Sequence, residues 1–389
     1  MKTLLVGIAF LIAACSQPTA AAPTPTPSSS PLFTPAVSSP TPTPAAPSPT
    51  PPPALKGSYA VVVKNFLVEG GTTYTLSIID TNGRVAATTT ARKRTVPFVQ
   101  VGNLSTSNTT LYYLDGDSDV RFLRPDHTTG LVTHISLGSR QAAAFAVSPD
   151  DLRIAVSVLD YTRYPVSTRL YVEDLNGGGN HVQLFYSSTV MEWPVGWHSG
   201  RLVMALGINS PPQNSFDGFE PAFGYHIVNA QTGARLLALC TGKESYQPES
   251  PAGAVCIDLQ TGSVTSWDGR SRPLPFARKP DATSGVCSLI GPLSPTGVIA
   301  TNIISSSQGG CGGGPGIFLV TPSGGIGTRP VTSNTNPDGW IDSTHLVVDS
   351  SAYTTNSSTP VLSIVNVSTG ALARIQASGS FVAVLPGTL

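Results

Sequence analysis

The sequence is poor in charge and has few long apolar runs. Its 389 residues include 22 lysines and arginines and 22 aspartates and glutamates, so the formal net charge is zero. Such a balanced chain offers no positive field to a phosphate backbone, which argues against a nucleic-acid partner. No segment after residue 14 is free of polar residues over the ~20 positions that a membrane-spanning helix needs.

Motifs of several common catalytic sites are also missing. The six histidines show no His-x-x-x-His spacing of the kind that places two ligands on one metal. No Gly-x-Ser-x-Gly sequence predicts an α/β-hydrolase nucleophile. The glycine-rich residues 305–318 lack the Lys-Ser/Thr pair of a phosphate-binding loop. These absences favour a binding protein over an enzyme.

The first residues have the pattern of an export signal. Lys2 precedes an uncharged apolar stretch, residues 4–14, which is too short to cross a bilayer. The stretch ends in Ile-Ala-Ala-Cys at residues 12–15, which resembles the bacterial lipobox. The resemblance implies a lipoprotein signal peptide over residues 1–14 and a diacylglycerol on Cys15, whose two chains suffice for stable anchoring. The alternative is an ordinary signal peptide in which Cys15 is incidental.

A tether follows the cysteine. Residues 16–54 contain no charged residue and 14 prolines, so they cannot bury a core. Such a segment favours extended polyproline II, which rises ~3.1 Å per residue and could reach on the order of 100 Å. We therefore expect lipidated Cys15 and a disordered Pro/Thr/Ser/Ala linker over residues 15–56, followed by one folded domain over residues 57–389.

The folded region repeats one arrangement of strands and turns. In AFAVSPDDLRIAVSV, residues 144–158, two short runs of small and β-branched residues flank a Ser-Pro-Asp-Asp turn. Two further strands follow in RLYVEDLNGGGNHVQLFY, residues 169–186, around a glycine-containing hairpin. Four antiparallel strands in about 45 residues form one self-contained unit.

The spacing of these units is typical of a propeller. Ser-Pro turns at residues 148, 250 and 294, with Trp197 between them, lie about 44 to 53 residues apart. The first unit lacks an inner strand, whereas SFVAVLP at the C-terminal end is a spare strand that could close the ring. We predict an all-β fold, a β-propeller of seven four-stranded blades closed by the C-terminal strand. Six or eight blades are the alternatives, because the unit near residue 244 is short.

One unit carries a family resemblance. Ser-Pro-Asp at residues 148–150, Ile-Ala at residues 154–155 and Tyr-Val-Glu-Asp at residues 171–174 resemble the Ser-Pro-Asp-Gly repeats of TolB-like and WD-repeat-like propellers. Asp151 stands where that family usually has glycine. The resemblance implies the architecture, and it implies no particular function because such repeats occur in proteins of many functions.

The remaining cysteines predict disulfides. An even number in an exported domain suggests two bridges, and three pairings are possible on paper. Neighbours in the proposed fold favour one bridge between Cys240 and Cys256 and another between Cys287 and Cys311. Free buried thiols are the alternative.

One acidic stretch could bind a cation. Asp115, Asp117 and Asp119 alternate along the chain, and carboxylate oxygens are ligands that Ca²⁺ prefers. The alternative is a polar hairpin tip, since Asp-Gly at residues 115–116 favours a turn. Calcium is the one cofactor that the sequence suggests.

Two long loops combine aromatic and polar residues and could bind a sugar, a peptide or a protein surface. The candidate ligand-binding residues are Tyr161, Arg163 and Tyr164 in the first loop, and Phe216, Asp217, Phe219, Glu220, Phe223 and Tyr225 in the second. The alternative is that these rings pack the loops onto their own blades.

Together these patterns predict a surface-anchored extracytoplasmic lipoprotein, monomeric and held to the cell membrane through Cys15. Its propeller would be a non-catalytic scaffold that binds an unknown protein or glycan partner. The alternative is an extracytoplasmic propeller enzyme, a hydrolase or lyase acting on glycans or peptides, since a propeller can draw catalytic residues from distant blades.

Overall fold

The computed structural model describes much of the region after residue 54. The described residues are 55–66, 71–95, 102–162, 165–207, 222–245, 249–257, 262–274, 291–302, 316–325, 327, 331–333, 335–350 and 360–389. The predicted signal peptide, the lipidation site Cys15 and the proline-rich tether lie outside them. Among the described residues, no helix has the length and apolar character that crossing a membrane requires.

The regular elements of the described residues are β-strands that pair antiparallel. Numbered along the chain, they are β1 (Tyr59–Lys64), β2 (Thr73–Asp80), β3 (Val85–Arg92), β4 (Leu104–Thr106), β5 (Leu111–Asp115), β6 (Asp119–Leu123), β7 (Thr129–His134), β8 (Gln141–Val147), β9 (Arg153–Asp160), β10 (Ser167–Asp174), β11 (Val182–Ser187), β12 (Met191–His198), β13 (Arg201–Gly207), β14 (Tyr225–Val228), β15 (Arg235–Leu239), β16 (Glu244–Ser245), β17 (Ala254–Ile257), β18 (Gly262–Thr265), β19 (Ser271–Pro273), β20 (Ile299–Asn302), β21 (Gly316–Val320), β22 (Thr332–Ser333), β23 (Asn336–Trp340), β24 (His345–Asp349), β25 (Leu362–Asn366), β26 (Leu372–Arg374) and β27 (Ser380–Leu385).

These strands form six four-stranded blades. Blade 1 has the order β27-β1-β2-β3, and blades 2 to 6 are β4–β7, β8–β11, β12–β15, β16–β19 and β23–β26. A three-stranded sheet, β20–β22, which we call the short sheet, follows blade 5 in the chain. The all-β propeller is thus confirmed, and the described strands form six four-stranded blades, the count that the sequence offered as an alternative to the predicted seven. Residues 275–290, where the predicted unit starting near residue 284 should begin, lie outside the described part.

The C-terminal strand closes the ring, as predicted. β27 pairs antiparallel with β1, with Tyr59 opposite Leu385 and Val61 opposite Ala383. A register shift between Val61 and Val62 marks a bulge in this pairing. Because β27 is the inner strand of blade 1, the first blade is completed by the last strand of the chain, and the edge of β1 that would otherwise be open is paired.

Burial decreases from the inner to the outer strands. In blade 3, nearly every residue of β8 and β9 is buried, whereas every residue of the outer strand β11 is half-buried or exposed. A strand that is covered on both faces requires a continuous apolar run rather than alternation. This requirement explains why residues 142–147 (AAAFAV) and 154–156 (IAV) read as unbroken apolar runs in the sequence.

The Ser-Pro-Asp-Asp turn of blade 3 joins two blades. The Ser148 hydroxyl donates to Asp150 Oδ1 at 2.6 Å and accepts the main-chain N–H of Arg153 at 2.9 Å. Asp151 adopts the left-handed region with φ of 59°, which aspartate tolerates better than most residues. Its carboxylate accepts a hydrogen bond from the Tyr112 hydroxyl of blade 2 at 2.8 Å. Asp151 therefore forms an inter-blade contact.

Buried tryptophans form a second set of hydrogen bonds between neighbouring sheets. The indole N–H of Trp197 donates to the Ala146 carbonyl of blade 3 at 3.2 Å. The indole N–H of Trp340 donates to the Pro292 carbonyl, beside the short sheet, at 3.0 Å. Both tryptophans end a Pro-x-Gly-Trp sequence on an inner strand that carries a bulge. Sequence reasoning did not use this repeated signal.

The predicted disulfide between Cys240 and Cys256 is present, with its Cα atoms 5.3 Å apart. It joins the end of blade 4 to β17 of blade 5. Cys256 lies in the buried cluster that contains Trp193 and Trp267. The predicted partners Cys287 and Cys311 lie outside the described residues, so their pairing stays a prediction.

The closing strand gives a first test. Leu385 on β27 is fully buried, so Leu385→Ala should lower the free energy of unfolding by about 2 to 5 kcal/mol. The matched variant Leu372→Ala removes the same atoms from a side chain that is 58% exposed on β26, and it should change stability by no more than about 0.5 kcal/mol. Urea titration of the two variants measures both effects. Equal losses of unfolding free energy in the two variants would contradict the assignment of β27 as a buried strand that closes the ring.

Candidate binding face at the inner hairpins

The inner hairpins converge at one end of the ring. Five of these turns lead from the first to the second strand of a blade, and the sixth joins the bridged residues Leu293 and Ile299 ahead of the short sheet. Together they form what we call the inner-hairpin face. They comprise residues 107–110, 148–152, 199–200, 250–253, 294–298 and 341–344. β1 begins and β27 ends at the same face, because their pairing completes blade 1 with the same strand directions. Residues 55–58 and 386–389 therefore reach this face as well.

Two cavities open among these turns. The larger, of about 680 Å³, is lined by residues 55–58, by the hairpins of blades 2 and 3 and by Pro386. The smaller, of about 310 Å³, is lined by the hairpins of blades 2, 5 and 6, by residues before the short sheet and by Pro386 and Thr388. Both volumes are within the range of small-ligand or side-chain pockets. The cavities depend on ring closure, since their walls come from hairpins distant in sequence.

Carboxylates outnumber cations around these cavities. Among the lining residues that the structure describes, Asp150, Asp151, Glu249 and Asp342 carry carboxyl groups, and Lys56 carries the one ammonium group. This excess of negative charge would attract a partner with positive or hydrogen-bond-donating groups.

The lining carboxylates are held by neighbouring groups. Asp342 pairs with His345 Nδ1 at 2.9 Å and accepts the main-chain N–H of Thr344 at 2.7 Å. Burial of Asp342 acts to raise its pKa, but the hydrogen bonds from Thr344 and His345 prevail and lower it. Glu249 accepts the Tyr225 hydroxyl at 3.2 Å, and burial raises the pKa of this carboxyl.

Residues 386–389, which we call the tail, cross from blade 1 to blade 4. The main-chain N–H of Gly387 donates to the Ser107 carbonyl at 2.9 Å, and the Thr388 hydroxyl donates to Asn108 Oδ1. His198 Nδ1 lies 2.8 Å from the main-chain oxygen of Leu389, which can only accept, so Nδ1 carries the proton. The Leu389 side chain is buried in the same cluster as Trp193.

The predicted aromatic patch is not formed by those of its residues that the structure describes. Tyr225 is fully buried, packs edge-on against Trp267 at 5.2 Å, and its hydroxyl lies 2.7 Å from the hydroxyl of Ser245. Tyr161 packs against the same cluster, and Phe223 is half-buried. Tyr225 thus packs in the core, as the alternative left open by the sequence describes, and ligand binding by these residues stays a prediction. The six other candidates lie outside the described residues: Arg163, Tyr164, Phe216, Asp217, Phe219 and Glu220.

The three alternating aspartates lie at a hairpin tip between β5 and β6. Asp115 pairs with Arg92 Nε at 2.9 Å and with Arg121 Nε at 3.0 Å. Asp119 pairs with Arg92 and with His134 Nδ1, at 3.2 and 2.8 Å. The carboxylate of Asp117 accepts two hydrogen bonds from Thr95, one from its main-chain N–H and one from its hydroxyl.

These contacts tie the end of blade 1 to blade 2. Burial acts to raise the pKa of Asp115, but hydrogen bonds from Arg92 prevail and lower it. Within the described ranges, no group of three or more His, Cys, Asp or Glu side chains is placed to hold a metal ion. A calcium ion at this tip stays a prediction, and it would have to compete with Arg92 and Arg121.

No protein-family model matches the chain, and neither does any curated protein. Several solved propeller structures are similar in fold. Acylaminoacyl peptidase from Pyrococcus horikoshii is 10% identical, with a TM-score of 0.47 over 83% of this chain and 51% of that one. BamB from Moraxella catarrhalis is 12% identical, with a TM-score of 0.35 over 75% of this chain and 96% of that one. Prolyl oligopeptidase B from Galerina marginata is 9% identical, with a TM-score of 0.34 over 80% of this chain and 40% of that one.

The chain thus spans well under two thirds of the Galerina and Pyrococcus peptidases.

Asp338, on the inner strand that leads to this face, has a buried carboxyl group with a shifted pKa. It is the bulged residue of β23, between Pro337, which pairs with Val348, and Gly339, which pairs with Val347. Burial, with a smaller contribution from the nearby Asp349 carboxylate, raises the pKa of Asp338 to about 7. The folded protein therefore holds a proton on Asp338 that the unfolded chain releases at lower pH.

This shift predicts a pH dependence of stability. The protonated carboxyl of Asp338 is the form that suits the folded protein, because its folded pKa is raised. Its contribution to the free energy of unfolding is therefore fully present below the unfolded pKa, near 3.8, and is lost as the pH rises through about 7. Asp338→Asn should therefore flatten the fall in stability between pH 5 and pH 8. Urea midpoints at the two pH values measure the slope. The exposed control Asp268→Asn should keep the wild-type slope, and identical slopes for all three proteins would contradict the prediction.

Proposed function

We propose that the protein is a lipid-anchored extracytoplasmic propeller that binds a protein or glycan partner at its inner-hairpin face without catalysing a reaction. The observation that supports this best is the pair of cavities whose walls come from the hairpins of four blades. Sites at which several blades contribute loops to one concave surface suit recognition of a partner, because each loop can vary without disturbing the sheets.

The charges at this face support a partner with basic or hydroxyl groups. Four carboxylates and one ammonium group line the cavities, so cationic side chains or sugar hydroxyls would complement them. Asp150, Asp151 and Asp342 each accept hydrogen bonds from neighbouring turn residues or from the adjacent blade. Such engaged carboxylates suit a fixed acidic surface better than proton transfer, which supports binding over catalysis.

The tether proposed from the sequence would connect this face to the membrane anchor. Residues 55–58, where residues 15–56 join the folded domain, line the larger cavity. A lipid on Cys15 and a semi-rigid linker of this length would allow the face to reach partners on the order of 100 Å from the bilayer.

Anchoring through Cys15 is tested by one substitution. Cys15→Ser removes the thiol that would carry the lipid, so the protein should move from the membrane fraction to the soluble extracytoplasmic fraction. The neighbouring control Ser16→Ala keeps the thiol and should stay with the membrane. Fractionation with immunodetection measures the distribution. Membrane retention of Cys15→Ser would contradict lipid anchoring.

The binding face is tested by photo-crosslinking in the full-length chain in its native envelope. A photoreactive amino acid at exposed Ser343, on the inner-hairpin face, should form a discrete adduct with a partner. The same group at exposed Thr162, in the β9–β10 connection at the other end of the ring, should not. Gel mobility and mass spectrometry identify the adducts. Adducts from residue 162 alone would contradict the assignment of the face.

A further inference from the structure

We infer that the inner-hairpin face recognises an extended peptide segment with a leucine-sized apolar side chain, and that the tail, residues 386–389, occupies this site as an internal competitor. The inference rests on the proposed function and specifies the ligand class of the same face. The tail lies in a site built by other blades, and its contacts show which groups of a ligand that site can engage.

The first two contacts are to the main chain of the tail. The N–H of Gly387 donates to the Ser107 carbonyl at 2.9 Å, and His198 Nδ1 donates to the Leu389 oxygen at 2.8 Å. These partners lie on blades 2 and 4, so the tail is stretched between them. Main-chain hydrogen bonds do not depend on side-chain identity, and extended peptides from other proteins could form them equally well.

The third contact selects an apolar side chain. Leu389 is only 8% exposed and belongs to the buried cluster that contains Trp193. The slot exists because residue 196 is glycine: a Cβ atom there would lie 2.6 Å from Leu389 Cδ1. A charged side chain in this slot would be desolvated without a counter-ion, so the slot favours a residue of leucine size and polarity.

A fourth contact restricts the position two residues earlier. A Cβ atom on Gly387 would lie 1.7 Å from Thr106 Oγ1, so the main chain approaches β4 too closely for a side chain. The ligand pattern that fits this geometry is glycine, any residue, then a leucine-sized residue. Pairing of main-chain groups gives affinity here, while the two steric constraints give specificity.

The tail also borders both cavities of the proposed site. Pro386 lines both cavities, and Thr388 lines the smaller one. The tail continues directly from β27, and one buried side chain and three hydrogen bonds hold it in place. A tethered segment competes at an effective concentration on the order of millimolar, so a partner peptide should bind the intact chain much more weakly than a chain whose slot is empty.

The test uses a fluorescent peptide of residues 384–389, Val-Leu-Pro-Gly-Thr-Leu, and anisotropy titration. A variant of the chain that lacks only residues 386–389 should bind this peptide saturably. The wild-type protein should bind it at least about tenfold more weakly. A Leu389→Met peptide should retain binding. Peptides carrying Leu389→Asp or Gly387→Val should lose it.

Thermal melting shows whether the shortened variant folds. If it does not, full-length Leu389→Asp keeps the tail but empties the slot, and it should bind the peptide more tightly than wild type does. Equal binding by wild type and either folded variant, or no binding by a folded variant, overturns the inference. Photo-crosslinking from residue 343 reads out a partner independently, so failure of the peptide alone leaves the proposed function standing.

Discussion

The antiparallel pairing of β27 with β1 is the interaction on which the rest of the structure depends. It joins the last strand of the chain to the first and pairs the edge of β1 that would otherwise be open. Only a closed ring brings the hairpins of blades 2, 3, 5 and 6 around the same two cavities. The same pairing directs residue 385 toward the inner-hairpin face, so the tail starts where it can reach blades 2 and 4.

Features that arise within one repeat could be predicted from the sequence. The Ser-Pro turn at residue 148 is local, because its hydroxyl and carboxylate bond to main-chain groups within five residues. Ring closure could also be predicted, since a missing inner strand at one end and a spare strand at the other match each other. The bridge between Cys240 and Cys256 followed from placing them on adjacent blades.

Features that arise between blades could not be predicted in the same way. Tyr225 follows a long polar loop and looks exposed in the sequence, yet Trp267 and Ser245 from blade 5 bury it. The slot for Leu389 depends on Gly196, far away in the chain, and four residues carry no periodicity that would reveal it. The Pro-x-Gly-Trp repeat ending at Trp197 and Trp340 was visible, but its meaning depends on carbonyls of neighbouring units.

Hydrogen exchange of the main-chain amides tests ring closure most directly. If β27 is an integral strand, the paired amides of residues 381–385 should exchange only through global unfolding, as slowly as those of β8 in blade 3. Exchange at the fast rate of a frayed terminus, with β8 still protected, would show that the ring is open and would contradict the account.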